Sequence, residues 1–136
     1  LSAGFPLLEF LEDGRYVGIE PNGWLVEAAL AELSLTTPKA CTFLWRSDFD
    51  AAECGVTFDF AIAHSVLSHA AGWQLDACLL RVRDVMADGG VFLASLRLGG
   101  IDTHADQWVY PDVAYFTVET LREVAAHAGF SFEVLP

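Results

Sequence analysis

Apolar positions along this chain alternate between two spacings, and their order predicts its elements. Residues 6–12 read as a short helix that stops at Asp13-Gly14, and 15–20 form a β-rich run, Arg15-Tyr16-Val17-Gly18-Ile19-Glu20. Pro21-Asn22-Gly23 punctuates the chain there. Trp24, Leu25, Ala28, Ala29 and Leu33 then recur at helical spacing until Thr36-Thr37-Pro38 breaks the pattern. A second strand spans 40–45, and 47–55 is a polar loop. The run Phe58-Asp59-Phe60-Ala61-Ile62-Ala63-His64 is nearly continuous in apolar residues, the pattern of a strand buried on both faces. The longest helix covers 73–86 through Trp73, Leu75, Leu79, Leu80, Val82 and Val85, and Ala87-Asp88-Gly89-Gly90 caps it. A further buried strand spans 91–96, and 99–112 is a loop. Thr117 is the N-cap of a helix over 118–127 that turns Leu121, Val124 and Ala125 inward. Ala128-Gly129 stops that helix, and 130–135 is a last strand.

This order is the α/β signature, a mostly parallel sheet with helices on both faces, here as one domain over residues 1–136. Ligands in such sheets bind beyond the carboxyl ends of the strands. The residues to inspect are therefore Glu20-Pro21-Asn22, Arg46-Ser47-Asp48-Phe49, His64-Ser65 and the chain from Arg97 onward. Glu20 is either a solvated strand-end acid or an acceptor for the two hydroxyls of a ribose. Asp48 either caps a turn or accepts from an adenine amine, while Phe49 either plugs the core or covers a ring face. His64 and His69 are structural or serve as a general base, with Ser65 beside them. No G-x-S-x-G surrounds Ser65, so a hydrolase triad has no support.

Composition narrows the classes. With 54% hydrophobic and 19% charged residues the chain has the material for a packed core and is not a disordered segment. No apolar stretch approaches ~18 residues, so no membrane span is expected. Nineteen acidic residues against seven basic ones give a net charge of −12, which disfavours nucleic acid and favours a small-molecule substrate. Cys41, Cys54 and Cys78 are widely spaced, with Cys41 and Cys78 in apolar runs. They suggest two buried thiols, no disulfide framework, and a reducing cytoplasm. His64, His69 and His104 lack any metal-binding spacing, so no metal site is expected.

Several segments, in this order, resemble the class I S-adenosylmethionine-dependent methyltransferases. Residues 14–22, ending in Ile19-Glu20-Pro21-Asn22, are similar to that family's second strand and its ribose-binding acid. Ser47-Asp48-Phe49 resembles the turn that contacts adenine. Phe58-Asp59-Phe60-Ala61-Ile62-Ala63-His64-Ser65-Val66-Leu67-Ser68-His69 resembles the fourth-strand segment. Met86-Ala87-Asp88-Gly89-Gly90-Val91-Phe92 resembles the start of the following strand. Tyr115-Phe116-Thr117, with Leu121 and Ala128-Gly129-Phe130, resembles the C-terminal segment.

The resemblance implies a Rossmann-like fold with an antiparallel strand near the C-terminus. It also implies S-adenosylmethionine as cofactor and in-line methyl transfer to an O, N, S or C acceptor. Gly4, Glu20, Pro21, Asn22, Asp48, Phe49, Ala63, His64 and Ser65 would then bind the cofactor. Glu20 would hold the ribose, Asp48 and Phe49 the adenine, and Ala63, His64 and Ser65 the methyl end, with His64 as base. Trp108, Tyr110 and Tyr115 would either shape an acceptor pocket or form a hydrophobic lid or core edge.

One departure stands out. The family's first strand and glycine-rich loop should precede Glu20, yet only Leu1-Ser2-Ala3-Gly4 resembles the tail of that loop. An N-terminally truncated enzyme is therefore expected, in which two strands lack their central neighbour. A catalytically inactive methyltransferase-like interaction domain fits the same departure. An NAD(P)-dependent Rossmann oxidoreductase is a weaker rival, since the only lysine, Lys39, is outside any Tyr-x-x-x-Lys pattern.

Overall fold

Every strand pair in the computed structural model is parallel, and each is an isolated pair. Residues 2–36 and 39–135 are described. Leu1 of the expected loop tail and Thr37-Pro38 of the expected breaker lie outside the described residues. The chain divides into two compact units, Leu1–Ala51 and Ala52–Pro136. It belongs to the α/β class, and among the described residues no helix is long and apolar enough to cross a membrane.

In the first unit a 3-10 helix, Ser2–Phe10, precedes β1 (Tyr16–Ile19), α1 (Gly23–Thr36) and β2 (Cys41–Leu44). Parallel strands need a crossover, and α1 supplies it. The register runs from Tyr16 opposite Cys41 to Ile19 opposite Leu44. Backbone bonds from Gly14 to Ala40 and from Glu20 to Leu44, 3.1 and 3.0 Å, continue it past both ends. Leu8, Ala29, Leu33, Leu44 and Ala51 are the buried apolar residues of this unit. Trp24, expected on the inward face of α1, is instead 68% exposed. Gly4 falls inside the 3-10 helix and not in an extended loop. The single lysine fastens this helix: Lys39 Nζ donates to the carbonyls of Leu8, Glu9 and Leu11. A cation there answers the unsatisfied carbonyls and negative dipole end of a helix C-terminus.

The second unit holds β3 (Phe58–Ala63), α2 (Gly72–Val85), β4 (Met86–Ala94), β5 (Arg97–Leu98), β6 (Tyr115–Phe116) and α3 (Val118–His127). β3 pairs with β4, and β5 with β6. Phe60, Ile62, Val91 and Leu93 share one face of the β3–β4 pair, because partners in parallel register point the same way. That face is open, with Phe60 68% and Ile62 52% exposed. Phe92 and Ala94 on the other face line an apolar cavity of about 100 Å³ together with Leu75 and Leu79 of α2 and Leu121 of α3. Helices thus cover one face of this pair, not both, and β3 is not a strand buried on both faces.

Two further expectations are corrected here. Ala87-Asp88-Gly89-Gly90 is not a helix cap, because α2 ends at Val85 and the glycines form a bulge within β4. Phe58 pairs with Met86 but Phe60 with Val91, so extra β4 residues loop out between them. Gly89 takes φ 77°, and a Cβ on Gly90 would lie 3.1 Å from the Phe58 carbonyl oxygen. Residues 130–135 form no strand, so no antiparallel strand is present among the described residues. Instead the Phe130 N–H closes on the Ala125 carbonyl at 2.8 Å, and the Phe130 ring lies 6.3 Å from that of Phe92.

The N-cap of α3 follows the sequence. Thr117 Oγ1 accepts from the Thr120 N–H at 3.1 Å. Asp102 reinforces it, accepting from Thr120 Oγ1 at 2.6 Å and from the Thr117 N–H at 2.6 Å. These bonds, the one from Thr120 first, hold the Asp102 carboxyl below its ordinary range. Thr117→Ala is expected to destabilise the chain by about 1 kcal/mol, read from the urea midpoint. An unshifted midpoint would mean that Asp102 alone suffices to cap α3.

The thiols also separate. All three cysteines are free, but only Cys78 is buried, while Cys41 is half-buried, unlike the sequence expectation. Burial pushes the Cys78 thiol up to about 12. Thiolate is the reactive form, so Cys78 is expected to resist iodoacetamide until the chain unfolds, while the half-buried Cys41 and Cys54 react before it. Mass-mapped alkylation checks this order, and early labelling of Cys78 would contradict the packing of α2.

Candidate functional site

Apart from Gly4 in the 3-10 helix, the expected site residues of the first unit follow the ends of β1 and β2. Glu20 follows β1, and its backbone N–H still bonds the Leu44 carbonyl, which fixes where its side chain starts. Glu20 Oε1 accepts from the Asn22 N–H at 2.9 Å and from Asn22 Nδ2 at 2.8 Å. Asn22 thereby orients the carboxylate, and Glu20, Pro21 and Asn22 form one tight turn. Trp45, which follows β2, braces it: Trp45 Nε1 donates to the Pro21 carbonyl at 2.7 Å. The Trp45 ring lies close over Gly23, where a Cβ would approach it to 3.0 Å.

Asp48 and Phe49 lie beyond β2 and are held by a partner that the sequence did not suggest. Arg46 Nε donates to Asp48 Oδ1 at 2.9 Å and Arg46 Nη2 to Asp48 Oδ2 at 2.7 Å. The Asp50 N–H adds a bond to Oδ1 at 3.3 Å. The guanidinium holds the Asp48 carboxyl well below the usual carboxylate range. A carboxylate has about four acceptor positions, and these three donors occupy most of them. Phe49 adopts φ 60°, the left-handed region that non-glycine residues seldom enter.

In the second unit Ala63, His64 and Ser65 follow one another out of β3. Ser65 takes φ 55°, the second left-handed non-glycine residue among those described. Ser95, just beyond β4, clamps the two strand ends together. Its N–H donates to the Ala63 carbonyl at 3.1 Å, and its Oγ accepts from the Ser65 N–H at 2.7 Å. His64 is exposed and, among the described residues, has no hydrogen-bond partner to orient its ring. His69 is the positioned imidazole, with Nδ1 2.7 Å from the Asp112 carbonyl oxygen.

The loop before β6 is fastened around His69. The Val109 N–H donates to the His69 carbonyl at 2.9 Å and the Ala114 N–H to the Ser68 carbonyl at 2.8 Å. Trp73 Nε1 donates to the Asp106 carbonyl at 2.9 Å. The Trp108 and Tyr110 rings stand 5.9 and 5.2 Å from that of His69. Tyr115 joins neither ring contact, since its N–H bonds Thr103 Oγ1 while its side chain stays partly exposed.

Arg46, Trp45, Ser95 and Asp112 were not given roles by the sequence. Only Arg46 carried a local signal, two residues before Asp48. The other three act through partners 24 or more residues away. No protein-family model matches the chain, and no curated protein matches it.

Proposed function

We propose that the chain is an S-adenosylmethionine-dependent methyltransferase on a Rossmann-like parallel sheet, acting on a small-molecule acceptor. The observation that carries this reading is the pair of left-handed residues, Phe49 and Ser65. Each lies just beyond the carboxyl end of a parallel strand, at a position the family resemblance names for cofactor contact. Such a conformation costs on the order of 1–3 kcal/mol in a non-glycine residue and persists where the surroundings demand it, often at ligand clamps.

The donor set fits the cofactor. Asn22 occupies Oε1 of Glu20, and the carboxylate's remaining acceptor capacity would serve the two hydroxyls of a ribose while Pro21 shapes the turn. Phe49 would cover the adenine face, and Asp48 would accept the adenine amine with the capacity Arg46 leaves it. Gly4 in the first unit, and Ala63, His64 and Ser65 in the second, are assigned to the cofactor by the family resemblance alone, the last three to its methyl end. S-adenosylmethionine, when bound, supplies an electrophilic methyl group on a sulfonium. The protein's share is positioning for in-line transfer to an O, N, S or C atom.

A second reading, a methyltransferase-like interaction domain without catalysis, is favoured by the open apolar face of Phe60, Ile62, Val91 and Leu93. Calorimetric titration of S-adenosylhomocysteine into the full-length protein separates the two. Saturable one-to-one binding supports the enzyme. A folded protein that gives no binding heat at several temperatures removes the cofactor and leaves the interaction domain.

A further inference from the structure

We infer that the acceptor is a phenol, a planar ring bearing a hydroxyl, and that His69 with Trp108 and Tyr110 receives it. The inference rests on the methyltransferase reading for the word acceptor, but the site itself stands on geometry within the second unit.

The argument begins with a proton. The Asp112 carbonyl oxygen can only accept, so a 2.7 Å contact with His69 Nδ1 requires the hydrogen on Nδ1. In the neutral ring Nε2 then presents a lone pair. Among the described residues nothing bonds Nε2, whereas the His69 carbonyl accepts from the Val109 N–H and the His69 N–H donates to the Val66 carbonyl. The chain has therefore fixed one tautomer of one imidazole and left its acceptor nitrogen available.

The surroundings favour a flat ring. Tyr110 meets His69 edge to face at 76° and Trp108 is tilted at 46°, so the three rings form a corner. Trp108 is 40% and Tyr110 69% exposed, which leaves aromatic surface for a ligand to cover. A phenol satisfies both features, its ring against the indole or phenol face and its O–H donating to Nε2. A carboxylate ligand is disfavoured, because Nε2 offers no hydrogen and the chain carries a net charge of −12.

Three probes of similar size test this by amide and indole chemical shifts: phenol, anisole and cyclohexanol. Phenol is expected to move the Trp108 indole and the Tyr110 and His69 amide signals, and to bind about tenfold more tightly than anisole, which lacks the donor, or cyclohexanol, which lacks the flat ring. Equal binding of phenol and anisole, or shifts confined to other residues, overturns the assignment. The wild-type tautomer is read directly from the imidazole nitrogen shifts well above the ordinary histidine value of about 6.5. A hydrogen on Nδ1 supports the site, and one on Nε2 overturns it. In His69→Phe, which keeps a ring in the corner, the preference for phenol over anisole should disappear, and its persistence counts against His69. S-adenosylhomocysteine titration stays separate: its failure removes the methyltransferase, whereas failure of phenol with cofactor binding intact removes only the acceptor class.

Discussion

Leu67→Ala is expected to lower the unfolding free energy by about 2–5 kcal/mol, the range for truncating a fully buried leucine. Leu67 is completely buried, as are Ala70 and Ala71 three and four positions on. It begins the short 3-10 turn Leu67–His69, between left-handed Ser65 and the oriented imidazole of His69. It also lines the apolar cavity of about 100 Å³ beside Leu75, Leu121 and Phe130. Truncation therefore enlarges an existing void where α2, α3 and β4 already stop short of close packing. The effect reaches the candidate site. The strain at Ser65 persists only while its neighbours stay fixed, and Leu67 is the nearest buried anchor. Urea unfolding gives the energy, and hydrogen exchange at the Ser65 N–H, bonded to Ser95 Oγ, gives the coupling. A loss below about 1 kcal/mol with unchanged exchange would show that the turn is held by its backbone bonds instead.

What the sequence made legible follows a physical division between local and distant causes. Thr117 was readable because a cap needs only a hydroxyl and the amide three residues on. β1 and β2 were readable because Tyr16, Val17 and Ile19, and Thr42 and Phe43, suit a pleated surface. The apolar run of β3 announced a strand and suggested burial, but a run of apolar residues says nothing about what covers it, and Phe60 and Ile62 are open. Ala87-Asp88-Gly89-Gly90 reads as a helix cap but forms a bulge, because a bulge can use the same positive φ that Gly89 adopts. The alternation Phe130-Ser131-Phe132-Glu133-Val134 looks like a strand, yet a strand exists only with a partner, and none is paired to it among the described residues. At the site, Glu20 could be named from its place after a strand. Arg46 grips Asp48 only two residues on, but the left-handed turn at Phe49 that follows is not encoded by its residue type. His69 owes its tautomer to a carbonyl 43 residues away.

Glu20→Ala is expected to weaken S-adenosylhomocysteine binding by about 1–3 kcal/mol, the scale of hydrogen bonds to a charged acceptor. In a titration this is a loss of roughly 5- to 150-fold in affinity. The fold should survive, because the bond that continues the β1–β2 ladder uses the backbone N–H of residue 20 and not its side chain. Two companion substitutions make the result specific. Asn22→Ala leaves the carboxylate in place but removes the side-chain amide bond to Oε1, keeping the backbone one. It should therefore cost less than Glu20→Ala, since orientation is only partly lost. Asp48→Asn keeps a neutral acceptor but breaks the charged pair with Arg46. If Asp48 contacts adenine directly, affinity falls; if it serves only to hold Arg46 and the turn, affinity holds and the urea midpoint falls instead. Unchanged affinity in Glu20→Ala would take the strand-end acid out of the site, and with it the residue on which the ribose contact depends.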